Sequence, residues 1–231
     1  MSDLTARPNR VSPHRAGYRG PAQAGGEAVT TATLLGQVMS LVALSIGFLV
    51  LGSIIGRDLS RGASITLSLV AFGMLFVQAL GGEQFRVGRF AIGWLFAVAL
   101  VIGLGFGPVL AYYASADPTA ITQAAGATAL AVAAMGAGGF LIGRDLAGWL
   151  RPLTFAIFGL VVVSFALVLF GSGGSPLLSL AIAAVSALLL LVDFNYLRRH
   201  GTEDDVFVLA TGIFVSIVNI FLSLLNIFSQ D

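Results

Sequence analysis

The chain has 231 residues, of which 57% are hydrophobic and only 10% are charged, and its mean hydropathy is +0.96. Soluble domains carry about 25% charged residues, so this composition excludes a soluble domain and predicts an integral membrane protein embedded in a lipid bilayer. Twelve basic residues nearly balance eleven acidic ones, and no basic patch lies outside the loops and the amino-terminal tail, so nothing indicates binding to nucleic acid.

Missing residue types narrow the possible functions further. All twelve basic residues are arginine, which excludes a retinal Schiff base and any lysine nucleophile. The absence of cysteine excludes disulfides, thiolate metal sites and thiol catalysis. The two histidines, His14 and His200, lie outside the apolar runs, so an intramembrane serine protease would lack its base. We therefore predict neither an enzyme nor a bound cofactor or metal.

The amino-terminal segment, Met1 to about Thr33, is rich in Gly, Pro, Ala and Arg and has no hydrophobic periodicity. Such a composition favours a disordered tail. The apolar run that follows starts too late and is too long for a cleaved signal peptide. The sequence therefore predicts a cytoplasmic tail (1–33) followed by a transmembrane domain (34–231).

Seven apolar runs of about 18 residues or more follow the tail, and each predicts a membrane-spanning helix. The runs are Leu34–Ile55, Ala63–Leu80, Phe90–Tyr113, Ala120–Ile142, Leu153–Phe170, Pro176–Leu197 and Val206–Phe228. The connections are short, so consecutive helices are expected to be antiparallel neighbours. The predicted fold is an all-α membrane protein with seven transmembrane helices.

Arginine placement predicts the orientation of these helices. If the amino terminus is cytoplasmic, ten of the twelve arginines lie in cytoplasmic segments and only Arg57 and Arg61 lie outside. This asymmetry follows the positive-inside rule and places the carboxyl terminus outside. Exclusive use of arginine together with abundant Ala and Gly is typical of a G+C-rich genome, which favours a bacterial inner membrane.

Two spans are rich in small residues. The third contains Gly103, Gly105, Gly107 and Pro108, and the fourth is built largely of Ala and Gly. Small residues let helix backbones approach closely, and a proline inside a span permits a kink. We favour helix packing over a ligand role, since no strand precedes these glycines and a phosphate loop is excluded within a bilayer.

Asp193 is the only carboxylate within the seven apolar runs, and it lies near the end of the sixth. Holding an ionisable side chain in hydrocarbon costs about 3 to more than 10 kcal/mol, so such a residue more often has a function than not. One interpretation is a protonatable gate whose neutral and charged forms prefer different packing. The alternative is a structural carboxylate satisfied by backbone donors and an arginine. The candidate partners are Arg198 and Arg199 at the same helix end, and Arg86 on the same side of the membrane.

The acidic residues of the next loop, Glu203, Asp204 and Asp205, also have two interpretations. Gly201 is a typical helix stop, and Thr202 three residues before Asp205 predicts a capped helix start with acids in its first turn. The alternative is a metal or calcium site formed by the three carboxylates. The helix start is favoured.

The seventh run carries small and polar residues at intervals of three and four, which keeps them on one helical face. This stripe consists of Gly212, Ser216, Asn219, Ser223 and Asn226. A span with one polar face lies against protein or water rather than lipid, so we expect this helix to be central. The stripe either lines a pore or supplies hydrogen bonds between helices.

Two segments of the sequence are recognisable: VDFNYLRRHGTEDDVFVLATGIFVSIVNIFLSLLNIF, which ends at Phe228, and GFGPVLAYYA, from Gly105 to Ala114. The first resembles the carboxyl-terminal signature of the Bax inhibitor family, the transmembrane Bax-inhibitor-motif proteins. The second is similar to the end of that family's third helix. The resemblance covers about Leu34 to Phe228.

This resemblance implies a fold in which six helices wrap the last one. It also implies the activity of studied members, a pH-sensitive calcium leak in which two facing aspartates share a proton and an arginine latches them. Asp193 matches the first aspartate. By its spacing to the Tyr-Tyr-Ala landmark that ends at Ala114, Arg86 matches the latch, with Arg89 and Arg198 in reserve.

Ser216 occupies the position of the second aspartate, and this is where the chain departs from the family. Two adjacent carboxylates raise one pKa by repulsion, whereas a serine beside Asp193 offers only a hydrogen bond. Helix-rise arithmetic also places Ser216 about 10 Å deeper in the membrane than Asp193. The paired-carboxylate sensor is therefore not expected in its usual form.

Three functions fit these features. The leading hypothesis is a Bax inhibitor type membrane protein that passes calcium or other cations, with Asp193 as the gate and Arg86 as its partner. The rival, favoured by the missing aspartate, is a non-conducting protein that binds another membrane protein such as a membrane-anchored protease. A proton-coupled transporter is a weaker third, since no inverted repeat is visible.

Overall fold

The computed structural model describes residues 30–171 and 175–229, which form seven long α-helices. They are α1 (Thr31–Gly56), α2 (Arg61–Leu80), α3 (Gly88–Ala116), α4 (Pro118–Leu141), α5 (Leu150–Leu169), α6 (Pro176–His200) and α7 (Val206–Phe228). All seven are long and apolar enough to span a membrane. The prediction of an all-α protein with seven spans is confirmed, and each predicted span overlaps one helix. The predicted disorder of the tail falls on residues 1–29, outside the described residues.

Polar caps explain why several helices begin before the apolar run that predicted them. The Thr30 side chain accepts a hydrogen bond from the backbone of Thr33, so α1 includes three residues assigned to the tail. Asp117 accepts from the N–H of Ala120 and is followed by Pro118, a favourable first residue of a helix. A cap fixes a helix start by hydrogen bonding, which hydropathy alone does not register.

The loops of the bundle divide its arginines between two ends. Arg86, Arg144, Arg151 and Arg198 lie at one end, here called the arginine-rich end. Arg57 and the start of α2 lie at the opposite end.

Glycines bring α1 and α3 into direct backbone contact. A Cβ built on Gly103 would overlap the carbonyl oxygen of Leu49, and one built on Gly107 would lie 2.6 Å from the backbone of Gly56. On α1, Gly52 is equally close to the backbone of α3. The interpretation of these glycines as packing residues is confirmed, and α3 continues through Pro108 as one helix.

Gly103→Ala is expected to destabilise the protein by about 2 kcal/mol or more, because the added methyl meets backbone atoms that cannot rotate away. Gly93 on the same helix has open space around its Cβ position, so Gly93→Ala is the matched control. Alanine favours helix over glycine by about 1 kcal/mol, and the control is expected to be neutral or stabilising. The midpoint of thermal unfolding in one detergent measures both. Equal midpoints for the two variants would contradict close α1–α3 packing.

Helix α7 is the most buried of the spans. In its most apolar stretch 56% of residues are buried, against 44% for α3, the next highest. It packs on α6, α4 and α1, touches α3, and is linked to α2 by a hydrogen bond from Gln78 Nε2 to Thr211 Oγ1 at 2.9 Å. The prediction of a central last helix is confirmed. Helix α5 is peripheral, and packs chiefly on α6.

Candidate functional site

Asp193 lies on α6 with its carboxylate turned towards α7. Its residue is only 6% exposed, and a Cβ at Gly212 would lie 3.1 Å from Asp193 Oδ2. The missing side chain at Gly212 is therefore what gives the carboxylate its place against α7. Ser216 follows Gly212 by four residues, about one helical turn, and so lies further from the arginine-rich end than Asp193.

The Asp193 carboxylate makes no hydrogen bond or ion pair with any side chain that the structure describes. The arginines expected to approach it bind elsewhere. Arg86 Nη2 donates to Asp205 Oδ1 at 2.8 Å, and Arg198 Nη2 donates to the carbonyl of Ile142 at 2.7 Å. The direct ion pairs predicted from chain position are thus not formed, because each guanidinium has an acceptor nearer the end of the bundle.

Asp205 is held on both of its oxygens. Oδ1 accepts from Arg86, and Oδ2 accepts from the hydroxyl of Thr202 at 2.7 Å and from its backbone N–H at 3.3 Å. Together with Thr202 it forms a capping box at a single 3-10 turn, Glu203–Asp205, which leads into α7. The predicted helix start is confirmed. The same carboxylate fixes the arginine of the α2–α3 loop against the first turn of α7.

The carboxyl end of α4 is capped by side chains of α6. Asn195, which is fully buried, donates through Nδ2 to the carbonyls of Gly139, Ile142 and Arg144 and accepts from the N–H of Leu146. Unpaired carbonyls are left at every helix carboxyl end, so this amide satisfies groups that would otherwise be buried without partners. Arg198 and Arg199 add further donors, the latter to the carbonyl of Gly143.

The α4–α5 loop is also joined to α6 at the surface. His200 Nε2 lies 2.8 Å from Asp145 Oδ2. The backbone N–H of Ala147 and this hydrogen bond to His200 hold the pKa of the Asp145 carboxyl below its usual range. Arg89, named in reserve as a latch, is exposed and has no ion-pair partner in the described part of the chain.

A cavity of about 660 Å³ lies between α2, α3, α5, α6 and α7. Its lining contains Asp193, and Arg86 and Asp205 lie at the arginine-rich end. Along α7 it reaches from Asp205 to Asn219, a distance of about 21 Å at the rise of an α-helix. A hydrocarbon core is about 30 Å thick, so the cavity extends well into the membrane from one end.

One part of the polar stripe of α7 lines the cavity, and another part makes hydrogen bonds between helices. Gly212, Ser216 and Asn219 line the cavity. Asn226, in contrast, accepts a hydrogen bond from Ser179 Oγ of α6 at 3.0 Å, and Ser223 is buried. The half near the arginine-rich end therefore faces open space, whereas Asn226 joins helices.

Residues 31–231 match the family described as Inhibitor of apoptosis-promoting Bax1. The chain belongs to this family. The match covers all seven helices, so the resemblance seen at the carboxyl end extends over the whole bundle of this Bax inhibitor family protein. A search of curated proteins found no match.

Two residues of the candidate site are not predicted as site residues from the sequence. Asp205 was interpreted only as a helix start or a metal ligand, yet it anchors Arg86. Asn195 was passed over, although a second polar residue two positions after Asp193 in an apolar run was a visible signal. Their partners lie on loops 119 and about 50 residues away in the chain, which sequence alone does not bring together.

Proposed function

We propose that this Bax inhibitor family protein is a cation leak, with calcium as the first candidate ion, and that its conductance depends on pH through Asp193. The observation that carries the proposal is a buried carboxylate that has no partner among the described residues and lies in a cavity that enters the membrane from one end. An ionised carboxylate there attracts cations, and a protonated one does not. Flux therefore falls as pH falls.

A gate is proposed because the described lining of the cavity ends at Asn219 on α7. Beyond Asn219, α7 continues with the buried apolar residues Ile220 and Leu225. Protonation of Asp193 favours this packing, since the neutral acid needs no solvation, and ionisation favours a wetter arrangement. This step depends on one carboxylate, because Ser216 stands where the family has a second.

Arg86 acts at the mouth of the cavity in this proposal. Its ion pair with Asp205 ties the α2–α3 loop to the start of α7, so release of the pair frees both elements to move. Arg89 and Arg198 are alternative partners in the open arrangement. We place this mouth on the cytoplasmic side of a bacterial inner membrane, following the arginine distribution.

The proposal is tested with purified protein in liposomes that contain a calcium-sensitive dye. Flux is expected to exceed that of protein-free liposomes at about pH 8 and to decrease as pH is lowered to about 5, by up to about tenfold per pH unit once Asp193 is mostly protonated. Potassium and sodium flux measured in parallel identify the preferred ion. Flux that equals the protein-free background, or that ignores pH, would contradict the proposal.

A second candidate function is a non-conducting protein that binds a transmembrane helix of another membrane protein, for example a membrane-anchored protease. Ser216 in place of the second aspartate favours it. So does an apolar groove of about 1070 Å³ lined by α1, α3, α4 and α7, which exposes small residues such as Ala43, Ala125 and Ala129. Small residues allow a further helix to approach closely.

Extraction in mild detergent separates the two functions. A stoichiometric partner that crosslinks to the groove, together with absence of flux, supports the regulatory function. Flux without such a partner supports the leak.

A further inference from the structure

The wall of the 660 Å³ cavity is mostly apolar and partly aromatic. Phe72, Phe106, Phe158 and Phe165 contribute rings, and Tyr196 lies one turn after Asp193 on α6. Among the residues described, Asp193 is the carboxylate in this wall that has no partner, since Asp205 is held by Arg86 and Thr202. Within the described residues, one unpaired carboxyl group thus faces a mostly apolar and aromatic space, with Arg86, Asp205 and Arg151 also in its wall.

We propose that this cavity is a binding site for a monovalent organic cation with apolar substituents, whose charge lies on Asp193 and whose substituents lie against the phenylalanine rings. Ligand cavities usually have volumes of about 300–1,000 Å³, with apolar walls and a few polar groups that fix orientation. The cavity has this size and composition. The proposal does not depend on whether the protein passes inorganic ions.

The donor set fits an organic cation better than a resident divalent metal. Calcium takes about six to eight oxygen ligands in one coordination sphere. The neutral polar side chains of the described lining are spread over α2, α5 and α7: Ser68, Gln78, Thr154, Thr211, Ser216 and Asn219. One carboxylate with aromatic faces is instead the arrangement that stabilises a bulky cation, because ring faces carry negative electrostatic potential.

The side of the cavity between α2 and α5 offers a route from the bilayer. These helices meet through aromatic rings: Phe72 lies 5.4 Å from Phe158 and 5.9 Å from Phe165, and Phe76 lies 5.8 Å from Phe158, measured between ring centres. Phe76 is nearly half exposed on the outer surface. Side chains that rotate can admit an apolar cation here, whereas the glycine contacts between α1 and α3 cannot open in this way.

A proton and the organic cation compete for the Asp193 carboxylate, so binding weakens as pH is lowered. The other charged or titratable groups of the cavity wall are Tyr196 on α6, Asp205 before α7, Arg86 in the α2–α3 loop and Arg151 on α5. Asp205 is already neutralised by Arg86. The cavity-lining residues Gln78 of α2 and Thr211 and Gly212 of α7 carry no charge.

Equilibrium binding of tetraphenylphosphonium to the full-length protein in nanodiscs of zwitterionic lipid tests the proposal, with empty nanodiscs subtracted. The uncharged triphenylphosphine oxide is the neutral comparison. Asp193→Asn is expected to weaken phosphonium binding by at least about tenfold, because it removes one partner of a buried charge pair. Asp204→Asn removes the same charge from an exposed position at the same end and is expected to have no effect.

Stronger binding of the cation than of the neutral compound, with loss on Asp193→Asn, supports the site. Equal binding by Asp193→Asn and the native protein, or no preference for charge, overturns it. If Asp193→Asn does not fold, the native protein decides: phosphonium binding that is unchanged between about pH 7.5 and about pH 4 overturns the proposal. Asp193-dependent calcium flux without phosphonium binding would overturn this inference alone and leave the leak intact.

Discussion

Asp193→Asn is expected to lower cation flux through the reconstituted protein by at least about tenfold and to remove its dependence on pH. An ionised carboxylate stabilises a cation about 4 Å away by about 4 kcal/mol at an effective dielectric constant of about 20. Asparagine keeps the size of the side chain against Gly212 but cannot ionise. The change therefore isolates charge from packing, and flux into dye-loaded liposomes at several pH values measures it.

The control for this variant is Asp204→Asn, since Asp204 is exposed at the arginine-rich end and does not line the cavity. Its flux and pH profile are expected to match those of the native protein. Unchanged flux and an unchanged pH profile in Asp193→Asn would remove this carboxylate from the mechanism. The Bax inhibitor fold and its seven helices would be unaffected by that result.

The fold was predictable because a bilayer limits which backbone structures can span it. Every backbone polar group in hydrocarbon needs an internal partner, so long apolar runs become helices. The bounds of α7, Val206–Phe228, agree with the predicted run at both ends. The central position of α7 followed from the same physics, since its stripe of Gly212, Ser216 and Asn219 cannot face lipid.

The candidate site was predictable only in part. The cost of burying a carboxylate singled out Asp193, and the signature around it identified the family. The acceptors of the arginines were not predictable, because they depend on which loop lies within a few ångströms after folding. Arg198 is five residues from Asp193 in the chain but donates to the carbonyl of Ile142, 56 residues away, and Arg86 pairs with Asp205, 119 residues away.

Asn195→Leu is expected to destabilise the protein by about 3 kcal/mol. Each buried backbone group left without a partner costs about 1–3 kcal/mol. The variant would leave Leu146 N–H and the carbonyl of Gly139 without the amide, whereas Arg198 still donates to Ile142. Leucine has a similar volume to asparagine, so the loss of stability is due to missing hydrogen bonds rather than to a new cavity.

Asn219→Leu is the matched control, because Asn219 is on the neighbouring helix and makes no hydrogen bond within the described residues. Leucine there faces the cavity and is expected to change the free energy of unfolding by less than about 1 kcal/mol. If both asparagine variants unfold at the native temperature, water at the end of α4 satisfies its carbonyls and α6 is not needed to cap it. If only Asn195→Leu is destabilised, the amide two residues after Asp193 fixes α6 against α4. The orientation of the Asp193 carboxylate towards α7 then depends on that contact.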